Sequence, residues 1–258
     1  MSNPKGIAGT LHALSALGND SLGEMGKMPM TPVYRTPGST LKALREEAAD
    51  CRACPLWKDA TQTVFGEGPQ QASLMLVGEQ PGDKEDLAGR PFVGPAGQML
   101  DRALEQAGID RKKVYVTNAV KHFKSVPRGK IRLHQKPNTS EIRACRQWYE
   151  RELGSVRPDL VVAMGATAAQ SVFGKITPIN KNRGRLIDLD DGTRVLVTVH
   201  PSYLLRLPDA VAKAREYQRF VDDLGIAADL IRKTASSRRP RSRPEWHAHN
   251  PHPRRNHA

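Results

Sequence analysis

A chain of 258 residues, 38% of them hydrophobic, is long enough to bury one sizeable core without disulfides or metal. Its formal charge of +13 suits a protein that meets a polyanion, and equally a soluble protein with a basic tail. There is no run of about 18 apolar residues and no charged n-region ahead of an apolar stretch, so neither a membrane span nor a secretory leader is expected.

Residues 1–38 mix Gly, Met, Pro and Ser with little periodicity and are expected to be disordered. A folded domain is expected over 39–231. It opens on a helix after Thr40, where Leu41, Leu44 and Ala48 recur at helical spacing. Short apolar runs at 73–77, 114–120, 160–164 and 195–199 predict buried strands, and 96–107, 140–153 and 166–173 predict helices between them. Residues 185–190 read as a hairpin partner turning at Asp191-Gly192. A last helix is expected over about 209–231. Residues 232–258 then form a basic, low-complexity tail with eight Lys/Arg against Glu245, and the body that remains is still basic. Strand–helix alternation of this kind predicts an α/β fold: a central, mainly parallel four-stranded sheet with helices on both faces. Ligands of such sheets sit beyond the carboxyl ends of the strands. Those ends carry Gly78-Glu79-Gln80-Pro81-Gly82, Asn118 to His122, Gly165-Ala166-Thr167 and His200-Pro201-Ser202, so a carboxylate, amides and histidines converge on one rim.

The glycine-bounded turn at 78–82 lets a ligand approach backbone N–H groups closely, though by itself it is an ordinary strand-end turn. Three further segments follow it: Gly89-Arg90-Pro91-Phe92-Val93-Gly94, Thr117-Asn118-Ala119-Val120-Lys121 and His200-Pro201-Ser202. In their order and spacing, over residues 51–231, the chain resembles the uracil-DNA glycosylase superfamily, in the iron–sulfur branch that holds the family-four enzymes and UdgX. Two features favour UdgX. Gln80 stands where family-four enzymes usually carry a small residue. The sixteen-residue loop 123–138 contains Gly129-Lys130-Ile131-Arg132-Leu133-His134, similar to the Lys-Arg-Arg-Ile-His loop of UdgX, with Ile131 and Leu133 as departures. A loop so long with no structure of its own is more often functional than incidental.

The resemblance implies a role for each residue. Uracil must leave the base stack to be reached. Phe92 stacks on the flipped base, Asn118 pairs with its O4 and N3–H, and the backbone at Gln80 adds a polar contact. His200 donates to uracil O2, where negative charge develops as the bond breaks. Glu79 faces the sugar, stabilises its cation and orients the nucleophile. In the UdgX pattern that nucleophile is His134, which attacks C1′ and stays attached. Lys130, Arg132 and Ser202 hold phosphates, and Leu204 wedges into the vacated stack. The expected function is excision of uracil from DNA, single-stranded by preference, ending in a stable His134–sugar adduct. A turnover glycosylase leaving an abasic site and a non-catalytic reader of uracil-containing strands are the other readings. The protein is expected to be a cytoplasmic, nucleoid-associated monomer.

Three cysteines make no disulfide framework without one left over, and a Cys-x-x-Cys pair in an unsecreted chain points to metal or redox work. Cys51-Arg52-Ala53-Cys54 supplies that pair, and Cys145 lies near the start of a predicted helix. On ligand chemistry alone, three cysteines and a histidine suit zinc. The resemblance implies instead a 4Fe–4S cluster held by Cys51, Cys54, His122 and Cys145. There His122 takes the place of the third cluster cysteine of family-four enzymes.

Overall fold

The computed structural model describes residues 40–237. The expectations for 1–38 and for the tail past 237 lie outside the described residues. In chain order the elements are α1 (Leu41–Ala49), β1 (Leu74–Gly78), α2 (Asp83–Ala88), α3 (Pro95–Gln106), β2 (Val114–Asn118), β3 (Ser125–Arg128), β4 (Ile131–His134), α4 (Thr139–Val156), β5 (Leu160–Met164), α5 (Ala166–Phe173), α6 (Ile179–Asn182), β6 (Leu186–Asp188), β7 (Arg194–Thr198), α7 (Pro201–Leu205) and α8 (Ala210–Ser237). Helix α8 runs six residues past the expected end of the folded domain. Among the described residues no helix is long and apolar enough to cross a membrane.

The main sheet has the order β2-β1-β5-β7-β6. Its first four strands are parallel, and β6 adds an antiparallel edge through the hairpin that Asp191-Gly192 turns. The four parallel strands are almost wholly buried, which is why they read as continuous apolar runs rather than alternating ones. Alternation shows instead in which layer each residue joins. Leu74, Leu76, Val116, Leu160, Val162 and Leu196 pack with Leu100 and Leu104 of α3 and Phe220 and Leu224 of α8. Met75, Val77, Tyr115, Val161, Ala163 and Val197 pack with Tyr149 of α4 and Ala169 and Val172 of α5. A third apolar cluster joins Leu44 and Ala48 of α1 to Ile142, Cys145 and Trp148 of α4.

Topology selects the functional edge. From β1 the chain passes first to β2 on one side and later to β5 on the other, so the strand order reverses at the β1/β5 boundary. The crevice beyond that reversal is where ligands bind in open α/β sheets.

Helices α2 and α6 are absent from the sequence expectations, and two further segments also differ from them. The loop over 123–138 is not structureless: β3 and β4 pair antiparallel from Ser125↔His134 to Arg128↔Ile131, turning on Gly129 at φ +61°. After β7 the chain enters α7, with Pro201 in the first turn where its missing N–H costs nothing.

Candidate active site

The carboxyl ends of the parallel strands open into a cleft of about 1240 Å³, lined among others by Glu79, Gln80, Phe92, Asn118, His134, Gly165, His200 and Ser202. Sequence reasoning placed Glu79, Gln80, Asn118, Gly165, His200 and Ser202 on one rim, while Phe92 and His134 entered only through the family resemblance. At its floor is a slot set by strand register, in which Gly78 of β1 lies opposite Asn118 of β2. A Cβ on Gly78 would stand 2.4 Å from Asn118 Oδ1 and 2.6 Å from Phe92 Cζ, so only glycine lets these two side chains meet there. Asn118 Oδ1 is buried and has no hydrogen-bond partner among the described residues. A buried acceptor left open in this way is costly unless a ligand fills it. Phe92 holds φ at +57°, which a bulky residue rarely adopts and which functional sites concentrate. Its turn fits because Gly97 lacks a side chain that would come within 1.8 Å of the Phe92 carbonyl oxygen. Glu85 fastens the surrounding loops, accepting from the N–H of Gly82 at 3.1 Å and of Gly94 at 2.7 Å. Sequence reasoning missed Glu85, although its place three residues after a helix-capping glycine was a readable signal.

His200 caps α7. Its Nδ1 accepts from the backbone N–H of Ser202 at 3.2 Å and lies 2.8 Å from the Ser202 hydroxyl. A backbone N–H can only donate, so Nδ1 is the acceptor and the ring proton sits on Nε2. That Nε2–H is buried with no partner among the described residues. Burial, aided by the charges of Arg206 and His134, pushes the ring pKa down to about 4. The result is a neutral, oriented donor. The Ser202 hydroxyl also accepts from Arg206 Nη1 at 3.1 Å, so its one hydrogen is committed to His200 rather than to a phosphate. Leu204, expected as a wedge, has no exposed surface and belongs to the core. Its neighbours Tyr203 and Leu205 are the exposed apolar side chains of α7.

Glu79 lies across the cleft. Its Oε2 accepts from Thr167 Oγ1 at 2.7 Å, and its Oε1 is 3.4 Å from Nε2 of the half-exposed His134. His134 ends β4, so the hairpin carries it to the carboxylate. Two side chains fasten that hairpin. Gln80 binds both legs of its base: Oε1 accepts from Lys124 N–H at 3.1 Å, and Nε2 donates to the carbonyls of Lys124 at 3.3 Å and Gln135 at 3.0 Å. Arg132, expected on phosphates, instead donates to Asp83 at 2.7 Å and to the buried Asp86 at 2.6 Å, and stacks over Phe123. A guanidinium paired with two carboxylates is spent on anchoring the arm. Lys130 stands exposed at the hairpin turn.

The expected metal ligands lie apart from the cleft. Cys145 is buried and accepts from the Lys121 backbone N–H at 3.1 Å; Cys51 accepts from the Trp148 indole N–H at 3.1 Å. Burial pushes the Cys145 thiol up to about 12 and raises Cys54, and the cysteines add to this through each other's charge. His122 has its Nε2 2.9 Å from Thr63 Oγ1, while Nδ1 is buried without a partner among the described residues. One nitrogen oriented by a hydroxyl and the other bare is the state of a ligating imidazole. Among the described residues no three His, Cys, Asp or Glu side chains gather as a single ion requires. Three thiols and a bare imidazole nitrogen are donors that either a zinc ion or an iron–sulfur cluster can take.

A family model described as the uracil DNA glycosylase superfamily matches residues 65–225. The chain is 38% identical over 195 residues to a type-4 uracil-DNA glycosylase of Thermotoga maritima, covering 75% of this chain and 95% of that protein. It is 34% identical to a type-4 uracil-DNA glycosylase of Sulfurisphaera tokodaii, over 72% of this chain and 86% of that one. A type-5 uracil-DNA glycosylase of Pyrobaculum aerophilum is 31% identical, over 69% and 78%.

Proposed function

Because the chain belongs to the uracil-DNA glycosylase superfamily, we propose that it draws uracil out of DNA, breaks its N-glycosidic bond and captures the sugar on His134. The observation that carries the capture step is the 3.4 Å approach of His134 Nε2 to Glu79 inside the cleft. A strand carrying uracil is the substrate, single-stranded by preference because extrusion then costs least. The cleft exceeds the roughly 300–1,000 Å³ usual for small-molecule sites, as an extruded nucleotide with its flanking sugar and phosphates would require.

In this reading the base enters the slot under Phe92. Asn118 Oδ1 accepts from uracil N3–H and its amide donates to O4, a pattern that cytosine reverses. Neutral His200 donates through Nε2–H to O2 as the leaving group gains charge, the kind of fixed donor that contributes most to such reactions. Glu79 faces the developing sugar cation. It takes the Nε2 proton of His134, and the freed electron pair bonds C1′ as the C1′–N1 pair departs with uracil. The proton held on Glu79 then neutralises the departing base. Cys51, Cys54, His122 and Cys145 would hold a 4Fe–4S cluster, which would supply a structural tie between the segment after α1 and helix α4.

Turnover is the second reading, favoured by the likeness to type-4 glycosylases. There Glu79 would direct a water in place of His134. Incubation with a uracil-containing single strand, followed by a denaturing gel and a parallel alkali treatment, separates the two. A shifted band that survives SDS and heat is the expected result, and it is lost in His134→Ser. Alkali-sensitive breaks without a shift indicate turnover; no change in either lane leaves only binding. An equally stable adduct in His134→Ser rules that ring out as the point of attachment.

A further inference from the structure

The hydrogen bonds around His200 reach one residue further than the reaction needs. Arg206 lies one helical turn after Ser202, on the same face of the chain. Its Nη1 donates to the Ser202 hydroxyl at 3.1 Å, and that hydroxyl is 2.8 Å from His200 Nδ1. The side chain is exposed and lines the cleft. Among the described residues Ser202 is the one hydrogen-bond partner its guanidinium has. Four of its five N–H groups therefore remain open toward the cleft or solvent, in the planar fork that suits a phosphate. Ser202 itself has no hydrogen left to offer. Charge nearby is mixed rather than uniformly basic, since Glu216 and Arg219 also line this end of the cleft.

We propose that Arg206 is a positioning residue that joins strand binding to bond cleavage: its open N–H groups take a backbone phosphate of the bound strand while Nη1 holds the hydroxyl that fixes His200. This rests on His200 being the donor to the leaving base. Phosphate and leaving-group donor then become one unit, so a strand seated on Arg206 tightens the ring that meets uracil. Arg206 itself touches neither the base nor C1′.

The test uses the full chain with Arg206→Gln, Ser202→Ala, the double variant and Arg206→Lys. Single-turnover release of uracil from a single-stranded oligonucleotide is expected to slow roughly ten- to a hundredfold in Arg206→Gln, about the factor of one charge-assisted hydrogen bond. Ser202→Ala should slow it similarly, and the double variant should be no slower than the worse single, because the two act in series. Affinity for a strand without uracil is measured across salt. The slope of log affinity against log salt should fall by about 0.7 in Arg206→Gln, one phosphate contact on a single strand, and stay unchanged in Arg206→Lys. Slowing that multiplies in the double variant, or a slope that Arg206→Gln leaves intact or that lysine lowers equally, overturns the proposal. If the unaltered protein neither releases uracil nor forms an adduct, it is the glycosylase reading that fails. The salt slope still decides the phosphate contact.

Discussion

His200 works through a division between its two nitrogens: Nδ1 is satisfied by α7, and Nε2 is left without a partner among the described residues, on a ring 6.0 Å from that of Phe92. Replacing it with asparagine removes one aimed donor, and uracil release is expected to fall about 10²–10³-fold, read in single-turnover assays. Its ionisation also bears on stability. The folded ring has its pKa near 4, below the roughly 6.5 of an unfolded histidine, so between those values the unfolded chain binds more protons. Stability tied to His200 is therefore fully present above about pH 6.5 and declines as pH drops toward 4. Urea midpoints measured across that window should fall less steeply for His200→Asn than for the unaltered protein. An equal slope would mean the ring is not held neutral by the fold.

The hairpin shows what one element adds and why it escaped the sequence. Its strands are four residues each, mostly exposed, and include Pro127, so neither length nor apolar alternation marks them. Helix α2 is six residues of largely acidic sequence, equally quiet. The parallel strands were legible because burial on both faces forces uninterrupted Val, Leu and Met, and α5 because glycines bracket it. Site residues followed the same divide. Those at strand ends were readable from topology, whereas the partners of Arg132 and the burial of Leu204 depend on packing between elements far apart in the chain. Gln80 tests the hairpin's purpose. Gln80→Ala removes three hydrogen bonds from its base while leaving Glu79 and His200 in place. Adduct yield on the gel should drop about tenfold, as loss of positioned geometry does, while uracil release falls less. Equal loss of both would place Gln80 in base binding instead.

Across the whole molecule, one buried ammonium links the cysteines to the base slot. Lys121 has no exposed surface; its Nζ contacts Glu152 at 2.6 Å, Thr117 Oγ1 at 2.5 Å and the Asn118 carbonyl at 2.9 Å, while its N–H reaches Cys145. Glu152 also accepts from the Gly66 N–H and the Tyr115 hydroxyl. Removing one partner strands the other's charge, so Lys121→Met is expected to cost about 3–5 kcal/mol by chemical denaturation. On the proposed cluster reading, treatment with an iron chelator should bleach a visible absorbance and lower Tm together. Bleaching with an unchanged Tm would separate the metal from the fold.

Position 78 offers a use for the slot it creates. The atoms that an added methyl would strike are the far ends of two side chains, Asn118 and Phe92, and not backbone. The Asn118 amide can turn aside, but the Phe92 ring is packed in the core and gives way at some expense to folding, and both are the very groups that would greet the base. Gly78→Ala should thus yield a protein that melts somewhat below its parent, still clings to plain strands and is blind to uracil, a matched decoy for any capture experiment.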